Sequence, residues 1–271
     1  MSAPQNTIID IQSLVTHYGT REILHSINLQ VRHGEIMVIM GGSGSGKSTL
    51  FRHLLGLRAP TSGTVHLFGQ DINLLKPEDL QQLRRNMGVA FQGGALLSSL
   101  SVGENVRLPL REHTQLDDNT IKIMSRLKLE VVNLASFEDL MPAELSGGML
   151  KRAALARAIV MDPKLLFFDE PSAGLDPVAA VELDELILRL REAMGITIVV
   201  VTHELESAFK IADRITVLDQ GNILITGTVA EVKNSDNPRI QSLLHRKPRI
   251  ETLDAEAYLN RLTRTQSVPT S

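Results

Sequence analysis

The sequence contains no cysteine. Disulfides, thiolate metal sites and thiol nucleophiles are therefore excluded, and the chain is compatible with a cytoplasmic address. It also lacks a long hydrophobic run. Its longest apolar stretches, Ile36–Met40, Leu165–Phe168 and Ile196–Val201, fall far short of the ~20 residues that cross a bilayer as a helix. Any membrane role is expected to come through a partner. The opening MSAPQNTIID has no basic region followed by an apolar stretch, so no signal peptide is expected. A surplus of positive charge is missing as well. The net charge is −3, which argues against a nucleic-acid partner. Neither an internal repeat nor a low-complexity tract is visible.

What is present is enough for a full core. Hydrophobic residues make up 43% and charged residues 22% of the 271 positions, ordinary values for one large α/β domain with a subdomain and a tail. Ile8–Val15 alternates apolar and polar residues and reads as a strand, and Ile27, Leu29 and Val31 continue an antiparallel sheet. Ile36–Met40 is continuously apolar, as in a strand buried on both faces. It runs directly into GGSGSGKST, residues 41–49, with a helix expected from Lys47 to about Gly56. Strands over Thr64–Phe68 and Met87–Phe91 flank a helix that Pro77 opens.

From Ser98 to about Met161 helical spacing takes over, for example at Ile121, Met124, Leu127 and Leu129. This reads as a helical subdomain, about 93–161, inserted in the core. The core resumes with a strand at Lys164–Phe168, a helix at Pro177–Met194, a strand at Ile196–Val201 and a helix at Glu204–Ala212. A hairpin around Gln220-Gly221 follows. The expected fold is an α/β P-loop NTPase over 7–245, with an antiparallel β subdomain and the helical insertion. Residues 246–271 form an extension. A short amphipathic helix carrying Ala255, Leu259 and Leu262 is expected there, then a polar end. It reads as a tail that docks on a partner.

Residues 41–48 fit G-x-x-x-x-G-K-[ST], the phosphate-binding loop. Glycines let successive amides point into one concavity, and the following helix adds its positive end. Gly41, Gly42, Ser43, Gly44, Ser45, Gly46 and Thr49 would form that cradle. Lys47 would bridge the β- and γ-phosphates, and Ser48 would ligate Mg²⁺. The bland alternative is a glycine-rich turn; placement between a buried strand and a helix favours the nucleotide.

Leu165-Leu166-Phe167-Phe168-Asp169-Glu170 looks like a Walker B strand. Four apolar residues bury it and leave two carboxylates at its carboxyl end, where parallel sheets bind ligands. Asp169 would hold Mg²⁺ through water, and Glu170 would act as general base on the attacking water. Alone, this could be a strand ending at an acidic turn; the phosphate loop tips the balance to catalysis. Leu145-Ser146-Gly147-Gly148-Met149 reads first as a helix start, with Ser146 as N-cap and glycines that permit close backbone approach.

That last motif resembles LSGGQ, the signature of the ABC transporter ATPases, and the resemblance covers residues 8 to about 232. It implies ATP and Mg²⁺ as ligands and a second copy of the chain. Each ATP would lie between Lys47 and Ser48 of one copy and Ser146, Gly147 and Gly148 of the other. Further positions match the family in order and spacing. Gln92 corresponds to the glutamine that senses Mg²⁺ and the permease. Asp176 corresponds to the loop that crosses the dimer, His203 to the switch histidine, and Tyr18 to the aromatic that stacks on adenine. A lone histidine or tyrosine is more often structural.

Met149 departs from the usual glutamine. With Phe91–Leu96, Pro109–Thr114 and Lys151-Arg152, it resembles the ATPases of MCE-type lipid transport systems. That resemblance implies a lipid permease, an MCE-domain protein, a STAS-domain protein and a place on the cytoplasmic face of the inner membrane. Leu96, Leu97 and Leu100 are a candidate groove for the permease. The competing readings are a transporter ATPase for another cargo, such as amino acids, and a non-transport ABC ATPase. The latter usually carries long coiled coils or tandem ATPase domains, and neither is visible here.

Overall fold

The alternating segments at the N-terminus pair with each other. In the computed structural model, which describes residues 6–246, β1 (Thr7–Tyr18) and β2 (Arg21–Arg32) are antiparallel. With β4 (Ser62–Leu67) and β5 (Gln70–Asp71) they form a four-stranded sheet of order β2-β1-β4-β5. β1 runs three residues past the expected Val15 to Tyr18. Register shifts along β1 explain why simple alternation lost it there.

The continuously apolar segments take the other sheet. β3 (Ile36–Met40), β6 (Met87–Ala90), β7 (Leu165–Asp169), β8 (Thr197–Thr202), β9 (Arg214–Asp219) and β10 (Asn222–Thr228) are ordered β10-β9-β3-β8-β7-β6. All neighbours are parallel except the β9–β10 hairpin. β3 and β8 are buried at every position, which is why they read as unbroken apolar runs rather than alternating ones.

Helix α1 (Lys47–Leu54) follows β3, and α2 (Pro77–Arg84) precedes β6. Between β6 and β7 lie α3 (Val102–His113), α4 (Asp118–Val131) and α5 (Gly147–Ile159). Each start is capped by a side chain. Ser101 makes a capping box with Glu104, Asp117 accepts two amides, and Ser146 accepts the Met149 amide. The stretch 91–101 before α3 holds no helix. The fully buried Asn105 braces it. Its amide accepts from the Leu97 N–H at 2.8 Å and donates to the Leu97, Leu100 and Ser101 carbonyls at 3.0 Å each.

After β7 come α6 (Pro177–Met194) and α7 (Leu205–Ile211), then α8 (Val229–Lys233). The chain divides between Ser235 and Asp236. Within the second unit α9 (Pro238–Leu244) is capped by Asn237. The expected helix around Leu259 and the docking tail lie outside the described residues.

One buried cluster joins the two sheets through α1. Leu14 and Val65 come from the first sheet, Phe51 and Leu54 from α1, and Ile39, Phe167 and Val201 from the second. The Phe51 and Phe167 rings meet edge to face at 5.8 Å. Phe167→Ala opens a cavity between the strand that ends at Asp169 and the helix that starts at Lys47. Urea unfolding followed by circular dichroism is expected to show a loss of about 3–5 kcal/mol; a loss below about 1 kcal/mol would mean that this contact is not central.

Candidate functional site

The parallel register lines up four strand ends. Met40 pairs with Thr202, Asp169 with Val201, and Ala90 with Phe168. The phosphate loop, His203, Glu170 and Gln92 therefore leave the sheet along the same edge, where parallel sheets bind ligands.

The loop after β3 has the shape the glycines require. A Cβ on Gly41 would lie 2.2 Å from the Leu218 carbonyl and 2.6 Å from Ser45 Oγ. Gly46 has φ of 106° and is the N-cap of α1, with no side chain capping the helix. The first-turn amides of α1 are thus left for an anion. Ser45 Oγ is buried without a partner, and the Ser45 carbonyl accepts from the Gly221 N–H at 2.8 Å. Lys47 Nζ folds over the loop, donating to the Gly41 carbonyl at 2.7 Å and the Gly42 carbonyl at 3.1 Å. A cavity of about 280 Å³ over this loop is lined by Tyr18, Arg21, Ile23 and residues 44–49. An uncapped helix end, an orphaned buried hydroxyl and an ammonium fit a polyphosphate. Ser48, Gln92 and Asp169 carry hard oxygen donors of the kind that suits Mg²⁺.

Electrostatics here are set by burial. Loss of water holds Lys47 below its ordinary pKa, opposed by the charges of Glu170 and Asp169. Asp169 is pushed up by burial and by Glu170, opposed by Lys47. An anionic ligand beside Lys47 and a cation beside Asp169 would each restore the charged form.

Glu170 sits at φ 50°, the left-handed region that side chains rarely adopt, which costs about 1–2 kcal/mol. The turn directs its carboxylate back to β8. Oε2 accepts from Thr202 Oγ1 at 3.1 Å and the His203 N–H at 3.3 Å, and lies 2.9 Å from His203 Nδ1. The structure thus brings Lys47, Asp169, Glu170 and His203 together. Tyr18 is 38% exposed and borders the cavity.

Ser146, Gly147 and Gly148 are elsewhere. None lines the cavity over the phosphate loop. Ser146 Oγ accepts the Met149 amide at 3.3 Å, and Gly147 and Gly148 stand beside Leu175 and Ala179. Asp176 caps α6, accepting from the Val178 and Ala179 amides at 3.0 Å. The start of α5 is therefore apart from the phosphate loop within one copy, and Gln92 stands exposed at the sheet edge between the core and α3.

Residues 24–173 match the family model described as ABC transporter. The chain belongs to the ABC transporter ATPases. It is an enzyme that hydrolyses ATP. It is 42% identical over 237 residues to the intermembrane phospholipid transport system ATP-binding protein MlaF of Haemophilus influenzae, covering 88% of this chain and 90% of that one. It is 36% identical over 242 residues to a probable ribonucleotide transport ATP-binding protein, mkl, of Mycobacterium leprae, covering 89% and 70%. Among solved structures it resembles the dimeric post-hydrolysis state of the ATP-binding cassette MJ0796 bound to ADP and Pi. That likeness has a TM-score of 0.75 at 30% identity and covers 82% of this chain and 98% of the other.

Two residues of this ABC ATPase that motif reading left without a role tie α5 to the site. Lys151 Nζ donates to the carbonyls of Glu170 at 3.1 Å, Pro171 at 2.5 Å and Ala173 at 2.7 Å. Arg157 donates to the Gly94 and Ala95 carbonyls at 3.0 and 2.8 Å. Both were visible only as basic residues following the signature, because their acceptors are backbone atoms 19 to 63 positions away. Lys151 fixes the turn in which Glu170 holds its left-handed backbone. Lys151→Ala is expected to lower ATP turnover by tenfold or more, since about 1 Å of misplacement can cost ~10²-fold, with ATP affinity within about twofold. Steady-state kinetics beside equilibrium ATP binding would check it; unchanged turnover would remove Lys151 from the positioning of Glu170.

Proposed function

We propose that this ATPase powers phospholipid transport between the inner and outer membranes, as the subunit of an MCE-type system. The observation that carries the cargo is the 42% identity, spread over 90% of the Haemophilus influenzae phospholipid-transport protein. The segments Phe91–Leu96, Pro109–Thr114 and Leu145–Arg152 support it. The partners on this reading are a lipid permease, an MCE-domain protein and a STAS-domain protein, with 246–271 as a docking extension of the ATPase domain. No described helix is long and apolar enough to cross a membrane. On this reading, by likeness to the family, the subunit would sit on the cytoplasmic face of the inner membrane and reach lipid through the permease. Another cargo is the second reading, favoured by the 36% identity to a probable ribonucleotide-transport ATPase.

Two copies would close head to tail on two ATP molecules; the distance of the α5 start from the phosphate loop within one copy supports this. The amides of the phosphate loop and Ser45 Oγ would take the phosphate oxygens. Lys47 would leave the Gly41 and Gly42 carbonyls for the β- and γ-phosphates. Ser146 and Gly148 of the second copy would bring the positive end of its α5 to the γ-phosphate. Among the described residues, the contacts of the Glu170 carboxylate with Thr202 and His203 fall on Oε2, which would leave Oε1 to accept the proton of the attacking water. His203, beside Glu170, would contact the γ-phosphate. Ser48, Gln92 and Asp169 would hold Mg²⁺, which when bound neutralises phosphate charge. Closure would pass through the segment 93–106, where Leu96, Leu97 and Leu100 offer apolar surface, to the permease.

Glu170→Gln removes the proton acceptor while keeping shape. ATP turnover is expected to fall by about 10²–10⁴-fold with nucleotide binding retained; turnover within about threefold of the parent would reject Glu170 as the base. The cargo is tested by tagging the chain, expressing it with its chromosomal neighbours and identifying what co-elutes. An MCE protein, a STAS protein and bound phospholipid are expected. A solute-binding protein with a different permease would replace the lipid reading.

A further inference from the structure

Arg58 lies in the turn after α1, outside every motif read in the sequence. Its guanidinium carbon sits 4.0 Å from the centroid of the Tyr18 ring. Arg58 Nη2 donates to the His17 carbonyl at 2.8 Å, which fastens the guanidinium to the strand that carries Tyr18. Its own backbone is held as well. The Arg58 carbonyl lies 2.9 Å from His53 Nδ1, and His53 Nε2 lies 2.7 Å from Thr16 Oγ1. A carbonyl only accepts, so Nδ1 carries the proton and Nε2 accepts from the threonine hydroxyl. His53 and Thr16 are both fully buried, and burial holds His53 toward this neutral form. Arg52 of α1 completes the arrangement, its Nη1 donating to the Tyr18 hydroxyl at 3.1 Å.

These supports come from α1 and the turn that ends it, and the other end of the same helix is the phosphate cradle. Tyr18 borders the cavity over that cradle, and neither Arg58 nor Arg52 does. The guanidinium thus packs over the ring without lining the cavity that the ring borders.

We propose that Arg58 is a positioning residue for the nucleotide base, holding Tyr18 from behind so that the opposite ring face receives the adenine of ATP. The proposal rests on the reading of Tyr18 as the base-stacking residue. Two physical effects support it. Stacked aromatic faces carry like quadrupoles and resist full overlap, and a cation on the far face draws electron density away from the near one. A ring already fixed by Arg58 and Arg52 also loses little rotamer freedom when the base arrives. Both effects act on the base and neither acts on the phosphates.

That asymmetry gives the test. ATP and inorganic tripolyphosphate are titrated calorimetrically into the full 271-residue chain. Arg58→Ala is expected to weaken ATP about two- to fivefold and to leave tripolyphosphate unchanged. Tyr18→Ala is expected to weaken ATP at least as much, and Arg58→Ala added to it should cost nothing further. Arg58→Lys keeps a cation without the planar group. It serves if the alanine variant does not fold, with the same ATP-only loss at a smaller size. ATP binding untouched by Arg58→Ala but weakened by Tyr18→Ala overturns the proposal and spares the reading of Tyr18. ATP binding untouched by Tyr18→Ala overturns both. Equal weakening of ATP and tripolyphosphate would make Arg58 a support of the fold alone, and the proposal would fall.

Discussion

Parallel pairing of β8 with β3 on one side and β7 on the other is the constraint from which the site follows. Because the three strands run the same way and in near register, the phosphate loop, His203 and Glu170 emerge side by side. The pairing also reaches one residue past β7, where the Glu170 N–H donates to the Val201 carbonyl at 2.8 Å. The left-handed backbone of Glu170 then turns its carboxylate to Thr202 and His203. The strain of that turn is sustained by fixed neighbours: the β8 carbonyl on one side and Lys151 on the other.

Helix α1 is the second organiser. Its uncapped start leaves amides for phosphate, its middle packs Phe51 against Phe167, and its end carries Arg52 and His53 toward β1. A single rigid element thus sets the distance between the phosphate cradle and Tyr18. α5 plays a corresponding part. Ser146 begins the helix, Lys151 touches the Glu170 turn, and Arg157 holds Gly94 and Ala95. The segment that begins at Ser146, the turn at Glu170 and the segment after Gln92 are therefore all held by one helix.

The start of α5 and the phosphate loop stand apart within one copy. A helix N-terminus flanked by small residues and a phosphate cradle that one copy keeps apart can be joined by a second copy in a symmetric pairing. Burial disfavours the charged forms of Lys47 and Asp169, and a neighbouring charge of opposite sign would restore them.

The sequence by itself determined whatever local backbone rules enforce. The buried strands at Ile36–Met40 and Leu165–Phe168, the glycine loop, the helix cap at Ser146 and the paired carboxylates each express a short-range requirement of dihedral angle, burial or capping. The tertiary structure decided the rest. The pairing of β8 with β3 depends on hydrogen bonds between segments more than 150 residues apart. The roles of Lys151, Asn105 and Arg58 depend on carbonyls or a ring face that no spacing rule reveals, because a backbone acceptor looks the same in every residue type. Long side chains that find distant backbone oxygens become legible only once the chain has folded around them.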